Sequence, residues 1–190
     1  MRRRLPALAC ALAVLAALPA TAESAAKRRV FVNGDSLAVG TRPYLPGDLR
    51  GWRVTQSASI SRHAPEGPPI LRGFGRGLPR VIVMSLGTND DPRQVGTFRQ
   101  AIRDTMSIAG ERRCVVWVNI VRPPVAGTSY AGYNHALAEE SRPRENLRVV
   151  NWAHIARANP GWFGEDGVHV TAEGYQARAK VIAKSVKRCK

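Results

Sequence analysis

Acidic residues are scarce in this chain of 190 residues: 14 Asp and Glu stand against 29 Lys and Arg, a formal charge of +15. The basic residues are scattered, not striped, and no recognition motif accompanies them, which argues against a nucleic-acid partner. Histidine is scarcer still, with 4 residues. His63, His135 and His154 lie at no spacing that completes a zinc site with a third ligand, so no metal and no organic cofactor are expected. No apolar run reaches the roughly 20 residues that a membrane-spanning helix needs. The pentapeptide Gly-x-Ser-x-Gly is missing too, because Ser36 is followed by Leu37 and Ala38, and this argues against the nucleophile elbow of the α/β-hydrolase fold. Internal repeats, heptads and low-complexity linkers are absent, and the length suits one domain.

What is present begins with an export pattern. Arg2, Arg3 and Arg4 form a positive n-region, Leu5 to Leu18 an apolar h-region, and Ala20-Thr21-Ala22 an Ala-x-Ala cleavage site. Residues 1–22 therefore read as a signal peptide cleaved before Glu23, leaving residues 23–190 as a single domain outside the cytoplasm with no stable membrane span. A lipoprotein signal ending at Cys10 would leave almost no h-region. Without Arg2, Arg3 and Arg4 the balance is 26 basic against 14 acidic residues, a formal +12. Such a chain is drawn to anionic cell-wall polymers or acidic polysaccharides by its summed field. A general arginine bias of composition would give the same total. Cys114 and Cys189 remain in a compartment that permits disulfides, and pairing them is the economical expectation. The alternative is two unpaired thiols. Closing a loop of this length stabilises by about 4 kcal/mol through loss of chain entropy in the unfolded state.

Apolar β-rich runs at Val30 to Asn33, Trp52 to Gln56, Val81 to Leu86, Val115 to Val121 and Leu147 to Asn151 alternate with helical patterns. The helical patterns fall at Leu37 to Leu45, Thr97 to Ala109, Tyr130 to Glu140 and Thr171 to Lys187. Continuous apolar strands separated by helices imply a mostly parallel five-stranded sheet covered on both faces, a three-layer α/β/α sandwich. The Pro- and Gly-rich stretch Ala64 to Pro79 reads as an irregular loop with a short helical turn.

Three short motifs carry chemistry. Gly34-Asp35-Ser36-Leu37 follows the first strand, Gly87-Thr88-Asn89-Asp90 the third, and Asp166-Gly167-Val168-His169 precedes the last helix. In an open parallel sheet ligands bind outside the carboxyl ends of the strands. The motifs bring there a hydroxyl that needs a base, a polar side chain able to face an oxyanion, and a carboxylate three residues before an imidazole. Those are the parts of acyl transfer through serine. Asp90 and Asp91 read as helix caps. Trp162 and Phe163 read equally as a sugar-stacking wall or as packing.

In their order and placement these motifs resemble three signature blocks of the SGNH or GDSL hydrolase superfamily across nearly the whole mature chain. The stretches Trp117-Val118-Asn119, Asn134, Val150-Asn151-Trp152 and Pro160-Gly161-Trp162-Phe163 further resemble the secreted SGNH-like domain of peptidoglycan O-acetyltransferases. The resemblance implies Ser36 as nucleophile, His169 as general base and then acid, and Asp166 as the group orienting the imidazole. The Ser36 N–H and the Asn89 amide would then form the oxyanion hole. It also implies a glycine in the second block, where this chain reads Ala58-Ser59-Ile60-Ser61-Arg62. If Arg62 holds that position, its side chain either adds a cation near the substrate or points to solvent.

The expectation from sequence is a monomeric secreted serine esterase for small acyl esters, acetyl above all, on a cell-envelope glycan. O-acetyl transfer to peptidoglycan or another wall polysaccharide stands second, because the sequence carries no acyl-donor module. A basic cell-wall-binding module that kept the fold and lost the chemistry stands third.

Overall fold

A computed structural model of the chain describes residues 28–189; the proposed signal segment and its cleavage site lie outside the described residues. Five strands form one sheet, β1 (Arg28–Gly34), β2 (Trp52–Ala58), β3 (Val81–Ser85), β4 (Cys114–Val118) and β5 (Leu147–Val150), in the order β2-β1-β3-β4-β5 with every pair parallel. Seven helices connect and cover them: α1 (Ser36–Thr41), α2 (Leu45–Asp48), α3 (Gly67–Gly73), α4 (Val95–Ala109), α5 (Ala131–Ser141), α6 (Trp152–Arg157) and α7 (Ala172–Lys187).

Strand alternation divides the apolar residues between two cores. Val30, Val32, Val81, Val83, Val116 and Val118 face one way, onto side chains of α1, α2, α6 and α7 such as Leu45, Trp152 and Ile182. Phe31, Ile82, Met84, Val115 and Trp117 face the other way, onto Leu71, Phe98, Ile102 and Leu137 of α3, α4 and α5. Every residue of β3 and β4 is buried, as a sheet covered on both faces requires.

Several boundaries differ from the sequence reading. The helix expected over Leu37 to Leu45 is broken into α1 and α2, because Pro43 and Pro46 cannot continue the first helix and Pro46 falls in the first turn of the second. The stretch Ala64 to Pro79 is more ordered than its composition implies. Pro68 and Pro69 open the seven-residue α3, and a 3₁₀ turn at Ala64–Glu66 precedes it, closed by the Glu66 carboxylate on the His63 N–H at 2.7 Å. β4 begins at Cys114 and ends at Val118, short of the expected Val121. The six-residue α6 has too little periodicity to read from sequence, although Asn151 caps it by accepting from the His154 N–H.

Cys114 and Cys189 form a disulfide that ties the end of α7 to the start of β4, with Cα atoms 5.8 Å apart. Among the described residues, no helix is long and apolar enough to cross a membrane.

Candidate active site

The chain leaves β1 towards β2 on one side and later returns to β3 on the other, so the carboxyl ends of β1 and β3 flank the switch point of the sheet. Ser36 sits there as the first residue of α1. Gly34 makes the turn possible: a Cβ on it would stand 2.3 Å from the Ala38 Cβ and 3.1 Å from the Ser85 carbonyl oxygen, so only glycine lets α1 close over the strand end. Asp35 caps the helix, its Oδ1 accepting from the Leu37 N–H at 3.0 Å, and its own N–H donates to the Ser85 carbonyl at 3.1 Å. The Ser36 N–H belongs to the first-turn donors that have no partner within a helix.

His169 and Asp166 come from the loop before α7. That loop is tied by Gly164 N–H to the His169 carbonyl at 2.8 Å and Thr171 N–H to the Trp162 carbonyl at 2.7 Å, with Gly167 in the left-handed region at φ 65°. Asp166 divides its oxygens. Oδ1 accepts from the backbone N–H of Val168 and of His169, both at 2.9 Å, and Oδ2 meets His169 Nδ1 at 2.5 Å. The imidazole bond and the two backbone donors hold the Asp166 carboxyl down at about 2. His169 Nε2 lies 2.8 Å from Ser36 Oγ. A proton on Nδ1 satisfies both contacts, with the hydroxyl donating to Nε2. A hydroxyl on a base that is itself oriented by a carboxylate can attack an acyl carbon.

Asn89 follows β3 in a turn that needs Gly87, whose φ is 115° and whose Cβ would meet Ile120 and Phe98 at 2.7 Å. The turn is clamped from outside: Arg122 donates to the Thr88 carbonyl at 2.5 Å and Tyr130 to the Asp90 carbonyl at 2.8 Å. The Asn89 Nδ2 donates to the Arg62 carbonyl at 3.2 Å, which fixes the amide's orientation and leaves its second hydrogen for another acceptor.

Arg62 is turned into the fold. One guanidinium nitrogen donates to Asn33 Oδ1 at 3.0 Å, to the Gly34 carbonyl at 3.3 Å, and to the carbonyl and hydroxyl of Ser57 at 2.7 and 3.3 Å, bracing the ends of β1 and β2. Within this loop the left-handed conformation that favours glycine falls on Ser61, at φ 61°, one residue before Arg62.

Other residues are structural. Asp90 and Asp91 do not cap α4, whose N-cap is Gln94. Asp90 reaches across to accept from the Ala64 N–H at 3.0 Å, and burial raises its carboxyl above the ordinary value. Asp91 accepts from the Arg93 N–H at 3.0 Å and from its guanidinium at 2.6 Å. Trp162 stacks on Trp152 with centroids 6.1 Å apart, and Trp162 and Phe163 both pack on the core beneath the loop that carries Asp166 and His169. Asn119 ties the ends of β4 and β5 together, donating to Asn151 Oδ1 at 2.9 Å and accepting from the Ala153 N–H at 2.7 Å. Asn134 brackets Ile120 through both its carbonyl and its N–H.

One pair escaped the sequence reading. Arg178 of α7 is buried behind the turn that carries Ser36, donating to Ser85 Oγ at 3.0 Å and lying 5.7 Å over the Trp152 ring. Burial lowers its guanidinium to about 10, while the nearby Asp35 opposes that shift. Burial likewise raises the Asp35 carboxyl, opposed chiefly by Arg178. Asp35 belongs to a motif read for Ser36 alone, and nothing in local sequence links it to α7.

The strand order and its connections define a fold. The fold is that of the SGNH or GDSL hydrolases. It superposes on a lipolytic protein of the G-D-S-L family from Veillonella parvula with a TM-score of 0.71, at 13% identity, over 85% of this chain and 99% of that one. It also matches the C-terminal catalytic domain of peptidoglycan O-acetyltransferase A from Streptococcus pneumoniae, solved with a methylsulfonyl adduct, with a TM-score of 0.67 at 20% identity over 85% and 92% of the two chains. By sequence it is similar to a Staphylococcus aureus (strain COL) protein assigned by name to the O-acetyltransferases, 26% identical over 107 residues. That match spans 56% of this chain and only 16% of the relative's length. No family model matches the sequence.

Proposed function

We propose that the protein is a serine esterase that removes small acyl groups, acetyl first among them, from a cell-envelope glycan. The observation that carries this reading is the continuous contact from Ser36 Oγ to His169 Nε2 and from Nδ1 to Asp166. His169 takes the Ser36 proton as Oγ attacks the ester carbonyl. The developing oxyanion is met by the Ser36 N–H and the free hydrogen of the Asn89 amide. The imidazolium then protonates the leaving sugar oxygen, leaving an acyl-enzyme on Ser36, and an activated water releases the acid. Every step uses side chains and backbone of this chain. Arg62 supports the oxyanion side by holding Asn89 through its carbonyl, while its guanidinium, turned inward, braces the ends of β1 and β2 instead of facing the substrate. The chain works as a secreted monomer outside the cytoplasm, exported through residues 1–22; the Cys114–Cys189 bridge is in keeping with that compartment.

Transfer of the acyl group to a second sugar is the alternative, favoured by the likeness to the O-acetyltransferase domain and differing only in what deacylates Ser36. A chromogenic acetyl ester assayed with wild type and Ser36→Ala tests the main reading, and added glycan acceptor separates transfer from hydrolysis. Turnover that the substitution abolishes supports the enzyme. No turnover of any small ester, with retention on isolated cell wall, makes the protein a binding module instead.

A further inference from the structure

Opposite the catalytic rim, at the amino ends of the strands, the surface gathers positive charge. A cleft of about 610 Å³ is lined by Arg28, Arg29, Arg76, Arg80 and Lys187 around Trp52, with no side-chain carboxylate in its wall among the described residues. All five cations are exposed, and among the described residues none of them makes an ion pair with an acid. A second cleft of about 1100 Å³ adjoins it through the disulfide, since Cys189 lines the first and Cys114 the second. It adds Arg112, Arg113 and Arg148, with Glu111 and Glu145 as its acids. Its other two arginines, Arg103 and Arg144, are already paired with Glu140.

This is order, not compositional scatter. Arg28 and Arg29 open β1, Arg80 directly precedes β3, and Arg112 and Arg113 precede β4; the strand register sets Arg29, Arg80 and Arg113 level with one another, while Arg148, the second residue of β5, lies deeper, beside Val116. β1, β3, β4 and β5 are consecutive neighbours in the sheet. Neighbouring strands lie about 4.8 Å apart, so Arg29, Arg80 and Arg113 form a row with one step per strand across β1, β3 and β4. Cations in a row do not converge on one small anion; they match a chain that carries an anion on each repeat. An anionic bilayer would favour an exposed aromatic or apolar wedge. Trp52 offers none, being half-buried on the core with the Arg28 guanidinium over its ring at 5.7 Å, and Phe74, 37% exposed beside Arg76, lies against Phe31 with ring centroids 4.4 Å apart and does not project as a wedge.

We infer that the amino-terminal pole of the sheet binds a linear acidic polysaccharide bearing a carboxylate on each repeat. The pole stands roughly 20 Å from Ser36, the length of a strand of this size. A polymer held there leaves the catalytic rim open and raises the local concentration of its own ester groups. That consequence rests on the esterase reading, whereas the binding does not.

The test is calorimetric titration of the full chain with polygalacturonate at physiological ionic strength. Neutral dextran and phosphatidylglycerol vesicles serve as comparators, and wild type is set beside Arg76→Glu/Arg80→Glu and Ser36→Ala. The inference predicts binding that added salt weakens. It predicts that the double charge reversal lowers affinity about tenfold or more while thermal unfolding and small-ester turnover stay as in wild type. Ser36→Ala binds as wild type does, so loss of the esterase reading would leave this result standing. No binding of polygalacturonate, equal binding by the double variant, or preference for the vesicles would overturn it.

Discussion

His169 Nε2 lies 2.8 Å from Ser36 Oγ, although the two residues are 133 positions apart. Nothing local to either residue creates that contact. It exists because β1 delivers Ser36 to the switch point of the sheet and the tied loop before α7 delivers His169 to the same rim. The contact is also terminated on its far side, where Asp166 takes the other ring nitrogen. The proposed chemistry therefore depends on how rigidly three separate turns are held, and each can be perturbed on its own.

Asn89→Ala removes the side-chain donor from the oxyanion side. Turnover of an acetyl ester should fall by about 10²- to 10³-fold, with KM and the unfolding temperature little changed. The amide's visible bond is a single contact, to the Arg62 carbonyl. Steady-state kinetics beside a thermal melt checks this.

Asp166→Asn should lower kcat by about ten-thousandfold, because the amide no longer fixes the imidazole tautomer. The wild-type carboxyl sits at about 2, below the free aspartate value of about 3.9. Its contribution to stability is therefore fully present above about pH 4 and lost as pH falls through about 2. Acid unfolding curves should show this component in wild type and not in the variant. Half-exposure of the pair keeps the component small.

Gly34→Ala places a methyl group against Ala38 and Ser85. Overpacking of this kind costs about 1–3 kcal/mol. The shift passes directly to Ser36, so turnover should drop about tenfold or more while the fold persists. Circular dichroism and ester kinetics together separate the two effects.

Arg178→Leu leaves the Asp35 carboxylate buried without its nearby cation. A loss of about 3 kcal/mol is expected in denaturant unfolding. Asp35→Asn in the same chain should restore part of it, since the amide removes the buried charge and can still accept from Leu37 N–H. Strict additivity of the two changes would mean that the residues are not coupled.

Strand positions were legible because parallel strands buried on both faces leave continuous apolar runs, as in Val81–Ser85 and Cys114–Val118. The placement of Ser36, Asn89, Asp166 and His169 was legible for a related reason: each lies in a short motif directly after a strand or before a helix, where sequence places the carboxyl edge of the sheet. Short helices were not. α2 and α6 span four and six residues, too few to establish a period, and α3 was hidden by a composition that in most settings marks a loop. Long-range polar pairs left no signal either. Asp35 and Arg178 meet only because α7 lies across the sheet, and Asp90 was misread as a helix cap because its partner, Ala64 N–H, belongs to a turn 26 residues earlier.

The account's central claim is that Ser36 carries the acyl group, and trapping that intermediate tests it most directly. Wild type and His169→Ala are mixed with an acetyl ester, quenched in acid within the first turnover, digested and mapped by mass spectrometry. An acetyl group on Ser36 in wild type, and none at that time point in the histidine variant, is the predicted result. Steady ester turnover with no acetyl on Ser36, or with the acetyl on another residue, would contradict the account.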